Sequence, residues 1–258
     1  MRKIYVLCAG SVESQLEAAC KKFRDWHPDV KIVREMNGSV NCVRKVIAGD
    51  PCDIIISADS ALIEKMLMPE HAEGYQVFAG NSMVLAATGY GTVISADNWK
   101  DLLLNPETTF GHYDPQADPC GYRAVMACML ADNVEAGLAQ KLLDHPGRRI
   151  INPGQEEPLP QFIFTYHSSA MKKGLPFTEL PDEMNLSKSE LDSLYANAVV
   201  ELGETKINGS AISYAFATPF ASANKPEVIL FLRYFMSVRA GDPGFTLKSG
   251  TVGVGPIE

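Results

Sequence analysis

YVLCAGSVESQLEAACKKF, residues 5–23, decides the architecture. An apolar run climbs to Cys8, breaks at Ala9-Gly10-Ser11, and turns into a helical pattern with Val12, Leu16, Ala19, Cys20 and Phe23 on one stripe. Read as a strand delivering the chain to a helix N-terminus, it puts Ser11 where an N-cap belongs. The beginning also has the outline of an export signal, because two basic residues precede the apolar run. That run lasts only from Ile4 to Ala9, short of a signal core of about 7–15 residues, and Leu7 rather than a small residue precedes Cys8. The expectation is the first strand of a mature domain.

The same alternation recurs further along the chain. Residues 30–35 (VKIVRE) read as a second strand, Asn37-Gly38-Ser39 repeats the break, and Val40, Val43, Val46 and Ile47 mark a second helix ending near Gly49. Residues 53–58 (DIIISA) form a continuous apolar run that suits a buried parallel strand, followed by a helix in ALIEKMLM that stops at Pro69. The series predicts a parallel α/β sheet with right-handed crossovers. Further strands are expected at 81–88, 162–166 and 211–218, and helices at 98–104, from Asp118-Pro119, at 168–173 and at 226–238. Residues 148–161 read as a loop and 180–193 as a polar surface connection.

The 258 residues carry a formal charge of −8, against the basic face that nucleic acid requires. A small anion remains compatible, because a few oriented N–H groups outweigh a distant net charge. No apolar run approaches the roughly 18 residues of a membrane-spanning helix. The six cysteines form no CxxC pair, and most fall on apolar stripes, so free buried thiols are expected.

Three strand-to-helix junctions share one chemistry: Gly10-Ser11, Gly38-Ser39 and Asp118-Pro119-Cys120-Gly121. The first turn of a helix leaves backbone N–H groups unpaired and carries about half a positive charge. Glycine lets a ligand approach the backbone, and serine adds a hydroxyl donor. Two readings stand. Ser11, Ser39 and Asp118 cap their helices, or the helix ends bind an anion without any lysine or arginine. Ser11 and Ser39 directly follow strands one and two, on the rim where open parallel sheets bind ligands. No phosphate-loop or dinucleotide fingerprint is present, and the five histidines have no GxSxG partner. Cys120 at a helix start is a candidate nucleophile that lacks an evident base.

At these positions LCAGS, REMNGSVNCVRKVIAGDPCDIIISAD, ALIEKMLMPEHA, FAGNSMVLA, DPCGYRA and ELPDEMNLS follow one another in order. Together they resemble the substrate-binding proteins of molybdate/tungstate ABC importers, in the branch with a carboxylate-containing site. The resemblance implies a type II periplasmic-binding-protein fold: two α/β lobes, 1–80 with 215–258 and 81–214, joined by two hinge crossovers, with the ligand cleft between them. It implies a non-enzymatic, periplasmic or cell-surface monomer that holds no cofactor, delivers a small oxyanion to an ABC permease and binds no nucleic acid. Ligand contacts carry over to Gly10, Ser11, Gly38, Ser39, Asp118, Cys120, Gly121 and Tyr166, with Asp118 a metal ligand only where the oxyanion metal is six-coordinate. Two departures stand out. Thr165 occupies the place of a second carboxylate, and Pro158 and Pro160 stand where the family has a helix. A binder of sulfate or another small anion on the same fold is the alternative, followed by a Cys120-dependent enzyme.

Overall fold

A computed structural model describes residues 1–89, 93–152 and 158–238, and the backbone of 246–252. The chain divides into two compact units, Met1–Gly80 with Ser213–Glu258, and Asn81–Ile212.

In the first unit the opening stretch forms β1 (Arg2–Ala9), a 3-10 turn at Gly10–Val12 and α1 (Glu13–Trp26). Next come β2 (Val30–Asn37), α2 (Ser39–Ile47), β3 (Ile54–Ser57), α3 (Ser60–Met66) and β4 (Tyr75–Gly80). β1 pairs in parallel with β2, Ala9 opposite Asn37, and with β3, Cys8 opposite Ile56. All four residues of β3 are buried, as the unbroken IIIS run requires of a strand covered on both faces. The stripe that runs from the turn into α1 is buried at Val12, Leu16, Ala19 and Phe23.

The second unit contains β5 (Met83–Ala87), α4 (Trp99–Leu104), β6 (Phe110–Tyr113), α5 (Pro119–Leu130), α6 (Leu138–Leu143), β7 (Arg148–Ile151) and β8 (Phe162–Tyr166). It continues through α7 (His167–Lys173), β9 (Phe177–Glu179), α8 (Asp182–Asn185), α9 (Asp192–Tyr195) and the hairpin β10 (Val199–Leu202) with β11 (Thr205–Asn208). Its main sheet has the order β7-β6-β8-β5-β9. Two expectations change here. The segment expected as a loop from 148 begins with β7, parallel to β6, and its residues 153–157 lie outside the described ones. The expected polar connection at 180–193 buries Met184 and Leu186, because α8 folds its few apolar side chains inward and Tyr195 donates its hydroxyl to Asp182 O at 2.5 Å.

The chain then returns to the first unit as β12 (Ser213–Ala217), α10 (Pro226–Val238) and β13 (Thr246–Val252). β12 is antiparallel to both β3 and β4, and β13 is antiparallel to β4. The sheet, ordered β13-β4-β12-β3-β1-β2, is therefore mixed, and the expected parallel pairing describes only β1–β3 within it. α10 packs on α1: Phe23 meets Phe231 and Tyr234 edge-on, each at 5.3 Å between ring centres. Below the sheet, buried Asp53 accepts from Tyr5 N, Ser222 Oγ and Lys225 Nζ at 2.6–2.7 Å, tying the return segment to the start of β3.

Candidate functional site

The register of β1 and β2 sets Gly10-Ser11 and Gly38-Ser39 side by side, each just past the paired residues Ala9 and Asn37. Neither serine caps its helix. Ser11 lies inside the 3-10 turn, and Ser39 is the first residue of α2, whose N-cap is Gly38. Their oxygens instead receive hydrogen bonds from elsewhere in the unit. Tyr214 donates its hydroxyl to Ser11 Oγ at 3.0 Å, and the Ala58 N–H donates to the buried Ser39 Oγ at 2.9 Å. A serine hydroxyl has one proton and two acceptor lone pairs. With one lone pair occupied by the protein, the proton and the second lone pair remain, and the proton is what an anion can accept. Gly10 is exposed, and a Cβ built there meets nothing within 4 Å. The Gly38 N–H, by contrast, already donates to Asn37 Oδ1 at 2.8 Å.

In the second unit, Asp118 and Pro119 open α5 as their residue types require, an acidic N-cap and a proline in the first turn. The Asp118 carboxylate accepts from Cys120 N at 2.7 Å. The backbone donor expected to serve a ligand is therefore engaged by the cap. Burial pushes the Asp118 carboxyl up to about 6, against the lowering effect of the Cys120 N–H. Cys120 is buried, its thiol facing Thr165 Oγ1 at 3.9 Å, and burial together with the Asp118 charge pushes it up to about 12. A thiol so rarely ionised at neutral pH is a poor nucleophile. Tyr166, buried at the end of β8, follows Thr165 directly, and its backbone lowers the Cys120 thiol against the larger effect of burial. Asp118, Cys120, Thr165 and Tyr166 thus form one cluster. Gly121 has a packing reason of its own: a Cβ there would collide with Tyr113 O and approach the Asp114 backbone to 2.8 Å.

Sequence reasoning missed three contributors. The Ser57-Ala58-Asp59 junction after β3 occupies the same rim, with Asp59 capping α3 through Ala61 N at 2.9 Å. Its signal was in plain sight, a third strand ending in a serine and a cap. Tyr214 gave none, since an aromatic in a strand reads as core. Gln15, four residues past Ser11, is buried in the first turn of α1, and its amide oxygen and nitrogen have no hydrogen-bond partner among the described residues. All six cysteines are free. Among the described residues no three His, Cys, Asp or Glu side chains gather as a metal site would need.

An α/β fold with two main sheets is shared with the periplasmic binding proteins. The chain belongs to the bacterial extracellular solute-binding protein family, whose model matches residues 4–242. An uncharacterized solute-binding protein of Petrotoga mobilis is 34% identical over 252 residues, covering 90% of this chain and 78% of the relative. A molybdate/tungstate-binding protein WtpA of Thermococcus kodakarensis is 31% identical over 243 residues, covering 80% of this chain and 69% of its own. Among solved structures, the periplasmic molybdate-binding protein of Azotobacter vinelandii superposes with a TM-score of 0.58 at 16% identity, covering 90% of this chain and 92% of that one. At that identity the likeness speaks for the periplasmic-binding-protein fold.

Proposed function

We propose that the chain captures a fully deprotonated tetrahedral oxyanion, molybdate or tungstate ahead of sulfate, outside the cytoplasm and delivers it to an ABC permease. The observation that carries this reading is the pair of rim serines whose oxygens are already hydrogen-bonded by the protein. Each still has its proton to donate, the role an anion without protons demands. The relatives named for molybdate and tungstate supply the chemical class.

In this reading Ser11 and Ser39 donate from the first unit, and Tyr166 and the start of α5 from the second, with Gly10 keeping the backbone accessible. The Cys120 N–H reaches the anion only by leaving Asp118, so the Asp118 carboxyl is protonated or turned aside in the loaded state. Thr165 in place of a carboxylate and Asp118 as a cap both favour an anion that stays four-coordinate. Selectivity over sulfate follows from cavity size. Selectivity over phosphate follows from few acceptors for its proton when Asp118 is protonated or turned aside, since an unpaired buried group costs about 1–3 kcal/mol. In this reading the chain is a monomer, holds no cofactor and catalyses nothing.

Isothermal titration with molybdate, tungstate and sulfate tests the proposal. Tight binding of the first two is expected, and absence of both heat and thermal shift with all three overturns it. X-ray absorption of the tungstate complex then counts the oxygens around the metal, with four expected.

A further inference from the structure

The two rim serines are served by different kinds of donor. Ser39 receives a backbone N–H, whereas Ser11 receives a side-chain hydroxyl from the second residue of β12, 203 positions along the chain. Tyr214 is fully buried, its ring edge-on to Phe78 at 6.2 Å, so its hydroxyl is carried to Ser11 by a rigid aromatic lever. A phenol is a stronger acid than an aliphatic alcohol, and in the pair the tyrosine donates. Hydrogen bonds in a chain polarise one another, and a hydroxyl that accepts a bond becomes a better donor.

We propose that Tyr214 is a positioning residue for anion capture, acting through Ser11. Its hydroxyl fixes the Ser11 rotor and polarises it, so that the chain Tyr214 Oη–H to Ser11 Oγ–H to ligand oxygen runs in one direction. The inference rests on the oxyanion reading above and adds to it a sensitivity to ligand charge. Polarisation grows with the charge at the end of the chain, so a tetrahedral dianion gains more from Tyr214 than a tetrahedral monoanion of similar size. Nothing in the sequence near Ser11 encodes this, because the donor arrives on the strand that returns from the second unit.

The test uses tungstate and perrhenate as dianion and monoanion, titrated against the wild-type chain, Tyr214→Phe, Ser11→Ala and the double variant. Tyr214→Phe keeps the ring and removes the donor. It is expected to weaken tungstate about tenfold and perrhenate about threefold or less. In the Ser11→Ala background the same change is expected to alter tungstate affinity by less than about twofold. Equal losses for both anions, equal losses in both backgrounds, or no loss at all overturn the proposal. Were Tyr214→Phe unable to fold, 3-fluorotyrosine at position 214 provides a second route. It is a more acidic phenol of nearly the same shape, expected to tighten tungstate, and a weakening counts against the role. A wild-type chain that binds neither tungstate nor molybdate refutes the oxyanion reading itself. Wild-type binding with an indifferent Tyr214→Phe refutes this inference alone.

Discussion

The rim of the first unit and the start of α5 in the second begin from the same sequence chemistry and arrive at opposite arrangements. On the rim, small hydroxyl residues follow β1 and β2 without capping, and other parts of the unit hydrogen-bond their oxygens. At α5, Asp118 caps in the usual way and engages the Cys120 N–H. The difference is one of side-chain charge and reach. A carboxylate at an N-cap accepts from the first-turn donors and is favoured by the helix dipole, so it turns inward on its own helix. Ser11 sits inside the 3-10 turn and Ser39 one residue past its N-cap, so neither caps, and their oxygens accept from other parts of the unit instead. One surface is preset to donate, and the other must first release its own acceptor.

Substitutions put this contrast to the test. The largest effect is expected from Gly121→Ala, where the new methyl meets the Tyr113 carbonyl and the Asp114 backbone. A clash with main chain that cannot rotate away costs about 3 kcal/mol, to be read from urea denaturation. Ser39→Ala leaves the buried Ala58 N–H without its acceptor, which costs about 1–3 kcal/mol. It also removes a ligand donor, with a loss of oxyanion affinity of tenfold or more by titration calorimetry. Retained affinity in this variant dissolves the distinction between rim and helix start.

Asp118→Asn preserves a good cap and removes the charge. The folded carboxyl sits near 6, above its ordinary value, so the fold favours the protonated form. Its contribution is present below the usual carboxylate range and is lost as pH rises through about 6. The asparagine variant is therefore expected to match the wild type at pH 4 and to exceed it at pH 8 by roughly 1–2 kcal/mol in thermal unfolding. Oxyanion binding at pH 8 is expected to tighten as well, and a marked loss identifies Asp118 as a metal ligand instead. Gly10→Ala, with open space around its new methyl, is expected to change stability by less than about 0.5 kcal/mol. An affinity loss in that variant marks a close ligand approach to the Gly10 backbone.

Much of the frame was legible in local signals. The 5–23 stretch folds as strand, turn and helix, and the α5 start obeys its Asp-Pro pair to the residue. α10 occupies its apolar run from Pro226 to Val238. Short strands escaped: β4 and β6 lie in segments whose neighbours gave no periodic contrast, and β7 hid behind charged arginines at the sheet edge. The antiparallel insertion of β12 escaped for another reason, since a returning strand looks the same whichever way it pairs. At the site, residue types marked the junctions but not their partners. Ser11 and Ser39 were visible, whereas the groups that set their direction, Tyr214 and the Ala58 amide, are supplied by tertiary pairing.

The absence of lysine and arginine from the proposed donors has a consequence for ionic strength. The chain carries a net charge of −8, so an approaching dianion is repelled at long range and attracted only at contact. Added salt screens interactions beyond about 10 Å at 0.1 M and leaves direct hydrogen bonds nearly untouched. Capture on such a surface should therefore quicken as sodium chloride rises toward physiological concentration, the reverse of a site built from basic side chains.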